Sequence, residues 1–146
     1  MLLALDLGTT FGWALETKHG LQHGFNKLSK RKDTHLDRFI AFRDWLERRG
    51  SVSEVVYEEV TFKHVSLNAA IMYHGLRAVL LLWCYDNGVP CHGVPVGTLK
   101  KGATGRGNAS KGDMTTKAKE LTGEPIRDDN EADAICLFYV FKNMVG

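Results

Sequence analysis

Cysteine is scarce in this chain and does not pair off. Cys84, Cys91 and Cys136 are odd in number and have no metal-type spacing. That excludes a disulfide framework and a thiolate zinc site, and the three read as buried or free thiols of a reducing compartment. Long apolar runs are missing too. The longest, Ala78–Tyr85 and Ala134–Phe141, fall well short of the roughly 20 residues that cross a bilayer. Leu2–Leu5 is too short for the apolar core of a signal peptide. A soluble cytoplasmic protein with no membrane partner is expected. Paired histidines are absent: His19, His23, His35, His64, His74 and His92 show no metal spacing and read as surface or packing residues. Internal repeats and low-complexity tracts are also absent. A net charge of +2 gives no global pull toward nucleic acid.

What is present suits one globular domain spanning 1–146. Hydrophobic residues make up 44% and charged residues 25%, which is enough apolar material for a real core. Leu2–Asp6 is apolar on both faces and reads as a central strand. Phe11–Glu16 and Leu21–Lys27 read as antiparallel partners joined near His19-Gly20. Asp33 can cap a helix to about Arg49, with Leu36, Phe39, Ile40, Phe42 and Trp45 at helical spacing and Gly50 as its stop. Val55–Glu59 is the next strand. Ser66 can cap a long helix over Leu67–Tyr85, ended by Asn87-Gly88. Val89–Val94 is a further strand, weakened by Pro90 and Pro95. After a glycine-rich basic stretch come helices over Lys111–Leu121 and Asp129–Met144. The order β-β-β-α-β-α-β-α-α predicts an α/β fold, a mixed five-stranded sheet with helices on both faces.

Three carboxylates stand in core-like segments. Asp6 ends the first strand and opens Asp-Leu-Gly-Thr-Thr, a turn whose glycine lets backbone approach a ligand. Glu58 and Glu59 end the fourth strand on opposite faces, and alternation alone does not choose between them. Asp133 lies one helical turn before Leu137 and two before Val140, so it faces the sheet. Asp129 and Asn130, four and three residues earlier, can share that face or cap the helix. A lone buried carboxylate is costly unless it is paired or binds metal. Three of them suggest convergence on a common cation, and oxygen-only ligands suit Mg²⁺ or Mn²⁺. Basic residues cluster twice, at Lys27, Lys30, Arg31 and Lys32 and, with no acid, from Gly97 to Lys111.

Leu-Asp-Leu-Gly-Thr-Thr-Phe-Gly-Trp (5–13), Val-Tyr-Glu-Glu-Val (56–60) and Asn-Glu-Ala-Asp-Ala (130–134) resemble the three acidic motifs of RuvC-type Holliday junction resolvases, which are RNase H-like nucleases. The segment 100–111, two lysines flanking a Gly-x-Gly-x-Ala core, resembles the family's basic segment. The four matches keep the family order and span nearly the whole chain. The compact length is similar to the phage-encoded branch, which would place the protein in a host cytoplasm. The resemblance implies an RNase H-like fold with Asp6, Glu58 and Asp133 as catalytic metal ligands, and it selects Glu58 over Glu59. Asn130 stands where the family often has a fourth Asp, so either it or Asp129 completes the ligand set. Lys100 and Lys111 match lysines that contact DNA near the scissile phosphate, and Lys111 would act in catalysis. Lys101 and Arg106 would hold the backbone. Phe62 lies where some members place an aromatic that wedges into the junction.

The implied activity is Mg²⁺-dependent, two-metal-ion hydrolysis of phosphodiesters in four-way junctions and other branched DNA such as forks and flaps, with Mn²⁺ substituting. Paired cuts in a two-fold symmetric junction call for a homodimer. The helix around Ala69–Trp83 carries apolar residues on more than one face and is the candidate interface. A different RNase H-like nuclease, acting on RNA–DNA hybrid or RNA, shares the acids, and only the basic glycine-rich segment speaks for junctions. An actin-like or sugar-kinase-type ATP-binding module also opens on Asp-x-Gly-Thr. Such a module needs two domains and a second phosphate loop, and this chain is too short for both.

Overall fold

The computed structural model of the chain describes residues 1–28, 34–61 and 66–145. Strands β1 (Leu2–Asp6), β2 (Thr10–Thr17), β3 (Gly20–Lys27), β4 (Glu54–Glu59) and β5 (Cys91–Pro95) form one sheet in the order β3-β2-β1-β4-β5. β1, β2 and β3 pair antiparallel, while β4 runs parallel to β1 and β5 parallel to β4. The central position expected for the doubly apolar β1 is the one observed, and all five of its residues are buried.

Strand alternation divides the core in two. Leu3, Leu5, Phe11, Val55 and Tyr57 face helices α1 (His35–Glu47) and α2 (Leu67–Asp86). Leu2, Ala4, Ala14, Val56 and Val94 face α3 (Val96–Thr104), α4 (Lys111–Thr122) and α5 (Asp129–Val145). α5 is the central helix of that layer: Ala132, Ala134, Ile135, Cys136 and Leu137 are fully buried. Helix starts follow local chemistry. Thr34, rather than Asp33, is the N-cap of α1, in a capping box with Asp37; Asp33 lies outside the described residues. Ser66 and Ser110 cap α2 and α4.

One sequence expectation is corrected. The basic stretch after β5 is not a simple loop, because Val96–Thr104 is helical. Its glycines argue against a helix by propensity, but Leu99 and Ala103 bury themselves in the α5 layer. A Cβ on Gly102 would stand 2.8 Å from Val140 Cγ1, so glycine here permits close helix packing. Gly105, in the left-handed region at φ 83°, ends α3. α2, at 20 residues, is long and apolar enough by length and composition alone to cross a membrane. In this fold Met72, Tyr73, Leu76, Leu80, Trp83 and Cys84 are buried in the α1–α2 layer.

The start of α5 is pinned to the sheet. Gly12 pairs with Asp6 across β1 and β2, and a Cβ at Gly12 would fall 1.9 Å from the Asn130 carbonyl oxygen. The helix backbone therefore rests directly on the strand beside Asp6. A second tie is longer in range. Glu131, completely buried, accepts the Arg127 backbone N–H at 3.0 Å and hydrogen-bonds His23 Nδ1 at 2.7 Å. His23 Nε2 in turn bonds Glu124 at 2.8 Å. His23 is thus a clasp between β3 and the α4–α5 connection rather than a simple surface or packing residue. Gly12→Ala is expected to lower stability by about 1–3 kcal/mol, the range for overpacking, and to weaken divalent-cation binding by displacing α5. Chemical denaturation with and without Mg²⁺ checks both effects.

Candidate metal centre and active site

The period-2 geometry of the strands carries Asp6 and Glu58 to one place. Asp6 shares a face with Leu2 and Ala4, and Glu58 shares one with Val56; both faces look toward α5. β1 and β4 run parallel with Leu5 opposite Tyr57, so one residue further along each strand sets Asp6 beside Glu58. The same register sends the neighbouring Glu59 to the opposite face, where it is exposed. Of the two acids that alternation left open, Glu58 is the one the register brings beside Asp6. Tyr73 holds the end of β4 in place, donating to the Glu58 carbonyl at 2.8 Å and accepting from Val60 N–H at 3.2 Å. Asp133 comes down from α5 onto the same spot. One oxygen from each of Asp6, Glu58 and Asp133 lies within 4.8 Å of the other two.

This cluster is short of positive charge. Asp6 is 9% exposed and Glu58 7%. Burial, then the charges of Glu58, Asp133 and Asp128, hold the Asp6 carboxyl well above its ordinary range. Burial and then Asp133 raise Glu58 to about 7 against the pull of Lys100. Burial and then Asp129 raise Asp133 to about 6, with Lys100, Lys111 and a hydrogen bond to Asp6 opposing. Each of these acids resists ionising where it stands. Cys136, deeper in α5, donates to the Met114 carbonyl at 3.5 Å. Burial and then Asp133 push its thiol up to about 12, so it stays neutral and offers no thiolate ligand. The donor set is carboxylate oxygen alone, partly buried and mutually repelling, which fits a hard divalent cation.

The other sequence candidates fall into distinct places. Asn130, in the first turn of α5, is half-buried and presses its backbone carbonyl toward Gly12. Asp129 is largely exposed and sits 4.0 Å from Lys111 Nζ, outside the three-carboxylate cluster. Neither Asp129 nor Asn130 caps α5. Asp128 does, accepting the Asn130 N–H on its side chain at 2.8 Å and the Ala132 N–H on its carbonyl at 3.1 Å. Asp128 was not singled out from sequence, yet its charge reaches Asp6. The signal was the run Asp128-Asp129-Asn130, in which the first residue is the one that precedes the helix. Lys100 is half-buried on α3 and acts on both Glu58 and Asp133. Lys111 opens α4, with its side chain 86% exposed and facing Asp129 at 4.0 Å. Lys101 lies instead along a cavity between α3 and the end of α5, with Gly102, Val140 and Met144. Arg106 is paired with Asp113 at 2.9 Å. Phe62, and the basic residues Lys30, Arg31 and Lys32, lie outside the described residues.

No family model and no curated protein matches this sequence. Solved structures do match in fold. RuvC of Thermus thermophilus bound to a Holliday junction substrate superposes with a TM-score of 0.79 at 18% identity, covering 99% of this chain and 95% of that one. The Holliday junction resolvase of yeast mitochondria, Ydc2, gives 0.66 at 12% identity over 96% of this chain and 76% of its own. The fowlpox virus resolvase, solved with Holliday junction DNA, gives 0.60 at 16% identity over 99% of both chains. The chain has the fold of these resolvases, the RNase H-like mixed sheet expected from the sequence.

The raised carboxylates make stability depend on pH. From the ordinary 4.5 of a glutamate to about 7, the folded protein holds more protons than the unfolded chain. Without metal, stability therefore falls as pH rises through that window. A divalent cation competes with those protons and stabilises the folded state once they have left. Thermal unfolding in chelator should show a midpoint that declines between about pH 5 and 7. Excess Mg²⁺ at about pH 7.5 should restore about 3 °C or more, the shift for roughly 1 kcal/mol in a chain of this size, and at about pH 5 should restore little. Glu58→Gln should flatten the pH dependence and blunt the Mg²⁺ effect together.

Proposed function

We propose that this protein is a structure-selective endodeoxyribonuclease that hydrolyses phosphodiesters in Holliday junctions and other branched DNA with the help of Mg²⁺, with Mn²⁺ as a substitute. The observation that carries the reading is the meeting of Asp6, Glu58 and Asp133 within 4.8 Å at the end of a central sheet, in a fold shared across nearly the whole chain with resolvases solved on Holliday junctions. The full span 1–146 acts as one nuclease domain in this account.

Asp6, Glu58 and Asp133 hold the cation, with Asn130 as a neutral oxygen donor in the first turn of α5. Bound divalent cation supplies activation of water and stabilisation of charge on the phosphodiester. The residues around the cluster do the rest. Lys111, exposed at the start of α4 and paired with Asp129 at 4.0 Å, exchanges that acid for the phosphate and neutralises charge that builds on it. Lys100, half-buried on α3, favours the ionised form of both Glu58 and Asp133 without overcoming their burial and borders the path of the scissile strand. Arg106 holds backbone further along α3 and α4 once it exchanges Asp113 for phosphate. Lys101 adds a more distant backbone contact. Such contacts position DNA without reading its sequence.

Two active sites act on one junction when the protein is a homodimer. α2 splits the two readings of its apolar residues. Leu76 and Leu80 are buried within the protomer, whereas Leu67, Ile71, Ala78, Leu82 and Tyr85 lie on the exposed side. Their spacings of four, seven, four and three residues keep them on one outward stripe. That stripe is the isologous surface in this reading, and Ile71→Glu with Leu82→Glu should turn a dimer into a monomer in sedimentation.

Cleavage of labelled four-way junction, fork, flap, RNA–DNA hybrid and linear duplex in Mg²⁺, Mn²⁺ and chelator tests the activity. Junction cutting that requires metal is expected. Asp6→Asn should reduce it by at least about 100-fold, the scale of losing one preorganised charge at a reacting phosphate, while gel-shift binding of the junction persists. Preference for hybrid over junction, or undiminished cutting by Asp6→Asn, would contradict the proposal.

A further inference from the structure

The α3–α4 basic segment lies on one side of the sheet, and the other side carries a polar cavity with no assigned role. It has a volume of about 480 Å³ and is lined by Thr9, His35, Arg38, Ser66, Asn68, Ala69 and Met72. Four elements build it: the turn after Asp6, the first turn of α1, the cap of α2 and the first turn of α2. Arg38 is half-buried, and its Nε is buried with no hydrogen-bond partner among the described residues. Arg38 itself lines the cavity and is only half-buried, so its remaining guanidinium donors can meet an acceptor that enters. Among the described residues, no carboxylate lines the cavity. The Asp37 carboxylate of the same helix is spent on the Thr34 cap, accepting from Thr34 N–H at 3.1 Å and from its hydroxyl at 3.0 Å. The first turn of α2 contains no acidic side chain, which leaves the positive end of that helix uncompensated.

The cavity is joined to the catalytic strands. A neighbouring space of about 180 Å³ shares Thr9, Ala69 and Met72 and continues along Leu7, Gly8, Val60 and Tyr73. Leu7 and Gly8 follow Asp6 directly, and Val60 lies two residues past Glu58. The two spaces adjoin at these shared residues, between the ends of β1 and β4 and Arg38. The Arg38 cavity is lined by cation, hydroxyl, amide and imidazole groups, the donor set of a phosphodiester site.

We infer that the Arg38 cavity is a second DNA-backbone site, holding a phosphate of the strand that leaves the metal centre on the α1–α2 side. Arg38 donates to the phosphate, with His35, Thr9, Asn68 and the start of α2 around it. The DNA is thereby gripped on both sides of the sheet, by Lys100 and Lys111 on one and Arg38 on the other. This inference rests on the nuclease reading and is tested apart from it.

The test is equilibrium binding of an immobile four-way junction in chelator, over a series of KCl concentrations. Arg38→Gln should weaken binding several-fold near 0.1 M salt and reduce the slope of log K against log salt by about one, the value of a single phosphate contact. Asn68→Asp places a carboxylate at the mouth of the cavity, where it favours the α2 dipole. Its thermal midpoint should equal or exceed that of wild type while its junction binding weakens. A merely structural role for this region would not give that combination, and it serves if Arg38→Gln folds poorly. Wild-type binding with an unchanged slope in Arg38→Gln, or unchanged affinity in Asn68→Asp, overturns the second site alone. A wild-type protein that does not bind the junction overturns this site and the nuclease reading together.

Discussion

Three carboxylates occupy a space from which water is largely removed, and the rest of the molecule is arranged so that they stay there. Two full negative charges no more than 4.8 Å apart repel by at least about 3 kcal/mol at an effective dielectric constant near 20. Burial adds to the cost of ionising them, which is why Glu58 rises to about 7 and Asp133 to about 6. Lys100 and Lys111 offset this only in part, the latter from an exposed position. A divalent cation relieves the repulsion and the proton competition at once. Stability lost to this cluster in the absence of metal is the counterpart of affinity gained in its presence.

The scaffold explains how such a cluster persists. β1, buried on both faces, cannot tilt Asp6 outward without exposing four apolar residues. The parallel register of β1 and β4 sets Glu58 beside it, and Tyr73 fastens the backbone immediately after Glu58 to α2. α5 is fixed at its start by contact with Gly12, by the Asp128 cap and by the Glu131–His23 clasp. None of these supports bears on substrate directly. They hold oxygen atoms from positions 6, 58 and 133 against their own repulsion, with the cost of that repulsion met by hydrophobic burial in both layers.

Much of this was legible in the residues alone. The acids of β1 and α5 stood out because each interrupts an apolar pattern whose period was clear. Glu58 could not be told from Glu59 by alternation, since the deciding fact is the strand register, a long-range property. α3 was missed because Gly97, Gly102 and Gly105 lower helix propensity, and only packing against Val140 reveals why a helix forms there. Nothing local in the run Asp128-Asp129-Asn130 separates the capping residue from its neighbours; Asp128 caps because it is the one that precedes the helix. The Glu131–His23 pair joins positions 108 apart in sequence, beyond any local pattern. For the basic residues the sequence supplied charge without direction: Lys100 borders the acids, Lys101 turns toward the end of α5, and Arg106 engages Asp113.

The central claim is that these carboxylates form a cation cage. Crystals soaked in Mn²⁺ and measured for anomalous scattering test it most directly. The account predicts a strong anomalous peak within bonding distance of oxygens from Asp6, Glu58 and Asp133. Saturating Mn²⁺ with no peak among these three, or with its main peak elsewhere on the protein, would contradict it.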